Sequence, residues 1–425
     1  MRFVGVLAAF LIILAPLQAG TQAAPQAPPA PPKASANAGK KGTYQVKTSR
    51  PGCNYYVCVP SSYSEANPAG LHLYFHGQGG QGGAPNFGTW SKHFLDKFNL
   101  IGLNMQYEDG DNGKDTEGKV KAAQEAIAQT IADYKIVAGR GVVCSFSGGG
   151  LPHCLFYDGQ AKGGRSATWP FCHAALYSSN YRNKPAHQKP TPMTFFISVG
   201  QGEWNLASLG ADGLGRMTEL LGDTAQGAPS DLYFKVIKGK GHSIADEEVA
   251  ESANGFRRSD LAFAPFVYGP DYSEKEFRGI VEEANGLQLG RAASGIEKLP
   301  EAMKAKGAKL KERIDARVQS ILALMKEIAE NDPVLANFYG PIFTRQLQGL
   351  PEAKELKETL SAAAKKPSHA KTIALLPSFQ KNYRNFFEGN GMMNPAQAPF
   401  LEQVKSTAGP GSQVGHMAAD YLLLK

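Results

Sequence analysis

Between Gly141 and Gly150 the chain reads Gly-Val-Val-Cys-Ser-Phe-Ser-Gly-Gly-Gly, an apolar run of strand type that ends in a serine followed by glycines and then turns helical. A strand can bend this abruptly into a helix only if the side chains two before and two after the bend are small, because they meet across it. Ser145 and Gly149 meet that demand around Ser147, with Ser145 where a glycine is usual. The bend also leaves the Ser147 hydroxyl at a helix N-terminus, where backbone N–H groups favour negative charge. Taken alone, a serine followed by glycines is equally the composition of a plain loop, so its surroundings must decide.

Those surroundings are an alternation. Tyr44–Thr48, Asn54–Pro60, Leu71–His76, Leu100–Gln106, Gly141–Phe146, Ala167–Ser178, Met193–Gly200 and Leu232–Lys238 read as strands. Several are continuously apolar, as in a sheet covered on both faces. Lys119–Tyr134 reads as a helix, with Val120, Ala123, Ile127 and Ile131 on one stripe. Strands alternating with helices predict a mostly parallel sheet with crossover helices. The full 425 residues are too many for one compact core, and beyond Pro270 the composition shifts to Ala, Glu, Lys and Leu. Tyr272–Leu289, Leu299–Glu330, Leu350–Ala364 and Lys371–Phe387 read as helices. The expected division is therefore a sheet domain at 42–269, a separate helical bundle at 270–390, and a tail at 391–425.

At the N-terminus, Arg2 precedes an apolar run from Phe3 to Leu17 followed by small residues, the pattern of a cleaved export signal over 1–20. The run is too short to span a bilayer. Residues 21–41 are dominated by Ala and Pro and are expected to be a disordered linker. The chain is thus expected to be secreted or periplasmic, and not membrane-spanning once the signal is removed. Five cysteines suit an oxidising compartment; Cys53–Cys58 and Cys154–Cys172 are the expected bridges, with Cys144 left over in its apolar run. The net charge of +7 comes from scattered rather than clustered basic residues, which argues against a nucleic-acid partner.

Three further segments bear on chemistry. Leu71–His76 ends in Gly77-Gln78-Gly79-Gly80, a glycine loop without the Gly-Lys-Ser/Thr ending of a phosphate cradle. It can offer a backbone N–H from Gln78 beside that of Gly148, a pair suited to an oxyanion. His242 follows the strand Leu232–Lys238 in a short glycine loop, where a general base for Ser147 belongs. Glu203 stands three residues past Gly200 at the end of another strand and is the expected orienting acid; Asp212 is the alternative. No metal is expected: the acidic loop Glu108–Asp115 lacks the spacing of an EF-hand and reads as a solvated turn.

Together these segments predict an α/β-hydrolase fold, a mostly parallel central sheet with helices on both faces, plus a C-terminal α-helical bundle. Tyr55–Tyr63, the His76-Gly77 loop, Ser145-x-Ser147-x-Gly149, Gly200-x-x-Glu203 and Gly241-His242 resemble the secreted polyhydroxybutyrate depolymerase and feruloyl/acetylxylan esterase group. The resemblance covers about residues 43–265. It implies hydrolysis of carboxylic esters, polyester- or polysaccharide-linked, through an acyl-enzyme without cofactor. The chain departs from that group in Glu203 for Asp, Ser145 for Gly, and the helical region. Rival readings are a prolyl-oligopeptidase-like peptidase on the same fold and an inactive hydrolase domain that binds. The helical region is expected to be structural, or to dock an envelope partner.

Overall fold

The computed structural model describes residues 33–78, 87–107, 115–162, 171–179, 194–204, 206 and 231–425. The signal at 1–20, the loop beyond Gln78, most of the acidic loop and Asp212 lie outside the described residues.

Each of the eight runs read as strands overlaps a strand: β1 (Gly42–Lys47), β2 (Cys53–Val59), β3 (Ala69–Phe75), β4 (Leu100–Tyr107), β5 (Ile136–Phe146), β6 (His173–Tyr177), β7 (Thr194–Gly200) and β8 (Leu232–Ile237). They form one sheet in the order β1-β2-β4-β3-β5-β6-β7-β8. β2 pairs antiparallel with β1 and β4, and every other pair is parallel. This is the strand order of the α/β-hydrolase fold. The continuously apolar runs are the central strands: every residue of β3, β6 and β7 is buried. β2, nearer the edge, alternates strictly between buried and half-buried positions, as a strand with one wetter face should.

Helices α1 (Thr116–Asp133) and α2 (Gly150–Lys162) connect strands, and α3 (Asp246–Phe263) follows β8. Asp115 caps α1 by accepting from the Gly118 amide. Beyond them come α4 (Lys275–Asn285), α5 (Leu289–Glu297), α6 (Lys304–Asn331), α7 (Pro333–Gln346), α8 (Glu352–Ala364), α9 (Pro367–Lys381), α10 (Ala398–Ala408) and α11 (Gln413–Tyr421).

The packing does not divide where composition does. The expected boundary at 269/270 falls inside one apolar cluster, in which Leu261, Ala262 and Val267 pack with Tyr272, Phe277 and Leu310. Arg317 of α6, itself buried, donates to the carbonyls of Asp260, Leu261 and Ala264, which closes the C-terminal end of α3. The expected tail is structured as well. Leu401, Val404 and Tyr421 share a cluster with Phe234 and Val236 of β8, and Tyr421 lies against Phe234 and Phe387. β8 is the last strand of the sheet; α11 packs on it, and α10 packs behind α11. The end of the expected linker is held too: the Ser35 amide and hydroxyl both donate to Asp133 at the end of α1, at 2.6 and 2.7 Å.

No disulfide joins the five cysteines, which corrects the expected bridges. Cys53 and Cys58 lie five positions apart on one extended strand, roughly 16 Å at ~3.3 Å per residue, far beyond disulfide reach. Cys144 is completely buried, and burial pushes its thiol well up from the ordinary range.

Candidate active site

The site gathers at the C-terminal ends of adjacent strands, where ligands bind in open α/β sheets. β5 delivers Ser147 one residue after its last position, and Ser147 takes φ +50, left-handed backbone that a serine seldom adopts. The chain then makes a single 3₁₀ turn over Ser147–Gly149 and enters α2. The crowding expected around the bend is present. A Cβ on Gly149 would lie 2.3 Å from the Phe75 carbonyl oxygen, and one on Gly77 would lie 2.9 Å from the Phe146 ring. Ser145 is tolerated because its hydroxyl finds a partner, His153 Nδ1 on α2 at 2.9 Å, although both residues are buried. Burial in that apolar place lowers the His153 pKa to about 3, so the imidazole there is neutral.

His242 Nε2 stands 2.7 Å from Ser147 Oγ, and its Nδ1 stands 2.7 Å from Glu203 Oε2. With Nδ1–H donating to the carboxylate, Nε2 is free to accept the serine proton. The Glu203 side chain is fully buried while a quarter of the His242 side chain is exposed. The Ser178 hydroxyl donates to the other Glu203 oxygen, and the Ser179 hydroxyl donates to the Ser147 carbonyl at 2.8 Å. Sequence reasoning missed both serines because it carried the sixth strand through Ser178. The signal available was two hydroxyls at the C-terminal end of the parallel strand next to β5.

The loops carrying the acid and the base are bound to each other. The Gly202 amide donates to the Lys240 carbonyl at 2.9 Å, and a Cβ on Gly200 would lie 2.2 Å from that same oxygen. Lys240 is pinned in turn by Glu248 of α3 at 2.7 and 3.0 Å, a nearly dry ion pair. Gln201 accepts from the Gly239 amide and donates to the Leu423 carbonyl at 2.7 Å, so the C-terminal segment braces the turn that carries Glu203.

The two expected oxyanion residues are neighbours: a Cβ on Gly148 would lie 3.0 Å from Gln78 Cβ and 3.2 Å from Gln78 N. His76 braces the base of that loop, with its ring stacked on Tyr107 at 3.9 Å and its Nδ1 2.6 Å from the Gly77 carbonyl. Phe146 and Trp204 flank the His242 ring, with centroids 4.9 and 5.8 Å away. Among the described residues no group of His, Cys, Asp or Glu is placed to hold a metal ion, and no helix is long and apolar enough to cross a membrane.

The sequence matches no family model and no curated protein. Among solved structures, Thermogutta terrifontis esterase 2 phosphoramylated by tabun aligns with 51% of this chain and 93% of its own, at 16% identity and a TM-score of 0.39. The native form of that esterase aligns with 48% and 86%, at 17% identity and a TM-score of 0.37. A putative dipeptidyl aminopeptidase IV from Bacteroides ovatus aligns with 51% of this chain and 35% of its own, at 10% identity and a TM-score of 0.39. These identities are low, and the assignment of the fold rests on the strand order and connections above.

Proposed function

We propose that the chain is an exported serine esterase that cleaves carboxylic esters through an acyl-enzyme. The observation that carries this reading is the unbroken relay Ser147–His242–Glu203, with both contacts at 2.7 Å and the serine in left-handed backbone at the mouth of a helix. A serine is a poor nucleophile until a base takes its proton. In the proposed cycle His242 Nε2 accepts that proton as Ser147 Oγ bonds to the ester carbonyl carbon, and the carbonyl oxygen becomes an oxyanion held by the Gly148 and Gln78 amides. The C–O bond to the alcohol then breaks, and the departing oxygen takes the proton from His242. Water adds to the acyl-enzyme by the same steps and releases the carboxylic acid. Glu203 keeps Nδ1 protonated and stabilises the transient imidazolium. Loss of one such oxyanion donor costs about 10²–10³ in rate.

The resemblance of the Tyr55–Tyr63, His76-Gly77, Ser145–Gly149, Gly200–Glu203 and Gly241-His242 segments to the polyhydroxybutyrate depolymerase and feruloyl/acetylxylan esterase group favours polymer-linked esters as substrates. Arg2 and the apolar run to Leu17 support export. The test is labelling with an organophosphonate probe. We expect one equivalent on Ser147, with ester turnover lost as labelling proceeds. In Ser147→Ala neither labelling nor turnover should remain above roughly one part in 10⁵–10⁶ of the original rate. Wild-type protein that takes no label would sink the reading.

A further inference from the structure

We propose that Trp204 is the platform of a subsite for the alcohol part of the ester, and that this subsite selects alcohols bearing a ring. The inference rests on the esterase reading above. Trp204 is the large hydrophobic side chain left in water among the described residues, 79% exposed. Single exposed apolar residues are ordinary on protein surfaces, but the position of this one is not. It directly follows Glu203, in a turn closed by the Glu203 amide on the Gly200 carbonyl and by the Gly202 amide on the Lys240 carbonyl. The Glu203 carboxylate is itself held by Ser178 and His242. The indole therefore projects from a fixed point, tilted 60° to the His242 ring with the centroids 5.8 Å apart.

Which part of an ester meets it follows from the proton transfers. His242 Nε2 must reach two oxygens in turn, Ser147 Oγ and then the departing alcohol oxygen, each at hydrogen-bond distance. The acyl carbon sits over Ser147, with its oxygen turned toward Gly148 and Gln78. The alcohol's carbon skeleton must then extend from a point beside the imidazole, and Trp204 is the exposed apolar surface there among the described residues. An indole face offers a broad, polarisable plane. It gains most from a ring laid flat on it, either the C–H face of a saturated or pyranose ring or the π face of an aryl ring. A short open-chain alcohol covers too little of the plane to gain comparably.

The experiment keeps the acyl group constant and varies the alcohol. kcat/KM is measured for ethyl acetate, cyclohexyl acetate, an acetylated methyl xylopyranoside and phenyl acetate with wild type, Trp204→Ala and Trp204→Phe. We expect Trp204→Ala to lower kcat/KM on the ring esters by roughly fivefold, mostly through KM, and clearly more than on ethyl acetate. Trp204→Phe should restore most of the loss. Each mutant-to-wild-type ratio cancels the differing reactivity of the leaving groups, so loss on the saturated rings, the phenyl ester or both identifies the face that stacks. An equal loss on ethyl acetate would mean that Trp204 acts through His242, and no loss anywhere would mean that it binds nothing; either overturns the subsite. Failure of the esterase reading is read separately. In Ser147→Ala, cyclohexanol, methyl xylopyranoside and phenol are titrated while tryptophan fluorescence is followed. A saturable change that disappears in the Ser147→Ala/Trp204→Phe double variant upholds the subsite even if no ester turns over. Absence of such a change with all three alcohols overturns it.

Discussion

Glu203, His242 and Ser147 link a buried carboxylate through a nitrogen group to a hydroxyl beyond the C-terminal end of β8. Asp231, Arg258 and Tyr339 gather the same three kinds of group at its N-terminal end. At that end Arg258 grips both Asp231 oxygens at 2.8 and 3.1 Å, and the Tyr339 hydroxyl donates to one of them at 2.5 Å. Gln413 completes the cluster, accepting from Arg258 and donating to the Leu232 carbonyl. Burial alone would raise the Asp231 pKa, but the arginine beside it wins and holds the carboxyl below its ordinary range. The two clusters differ in the nitrogen group and in access. A guanidinium does not give up its proton and an imidazole does. Tyr339 is buried, whereas the His242 side chain stays a quarter exposed. Similar contacts thus make a rivet at one end of the strand and, in the proposed function, a proton relay at the other.

Substitutions should separate the two ends. At the relay, Glu203→Gln keeps the shape but removes the charge that fixes the Nδ1–H tautomer. The expected loss is about 10⁴ in kcat, with thermal stability nearly unchanged. At the rivet, Arg258→Ala leaves the buried Asp231 carboxylate without its cation, and unfolding free energy should fall by about 3–5 kcal/mol in a urea titration. Esterase turnover per folded molecule should be retained. If Arg258→Ala abolished turnover in the folded fraction, or Glu203→Gln cost mainly stability, the contrast between the two ends would collapse.

How much of this was legible in the sequence follows the range of the forces. The strands were readable because continuously apolar runs such as Phe195–Val199 have no place except a sheet covered on both faces. Ser147, His242 and Glu203 were readable because each follows a strand end in a glycine turn. The sharing of cores was not readable, because it depends on which apolar face meets which. α11 is a short segment that covers β8, with α10 packed behind it, and nothing local in Leu401 or Tyr421 announces those partners. α7, with Pro341 inside it, went unread, but α9 was read despite Pro377, so a proline alone does not hide a helix. The cysteines misled because an even pairing of four neglects strand geometry: a pair on one strand cannot bend back on itself.

The smallest expected effect concerns a half-buried carboxylate, and it asks whether an arginine is what separates a stabilising acid from a costly one. Asp420 of α11 accepts from the Val236 amide of β8 at 3.2 Å, and among the described residues no arginine grips it. Burial raises its pKa to about 7, further supported by Glu251 and Glu247 and opposed by Lys235, whose ammonium is engaged by Glu251. A carboxyl whose pKa is higher in the folded state than in the unfolded chain binds its proton more tightly when folded. Its contribution to stability is complete below the unfolded value near 4 and is lost as pH rises through about 7. Asp420→Asn keeps a group able to accept from Val236 but removes the titration. The variant should therefore match wild type at pH 4 and exceed it at pH 8 by at least about 1 kcal/mol, each pKa unit being worth 1.4 kcal/mol. Unfolding measured in urea at both pH values decides this. A variant no more stable than wild type at pH 8 would mean that Lys235 already does for Asp420 what Arg258 does for Asp231, and the arginine would no longer explain the difference between the two carboxylates.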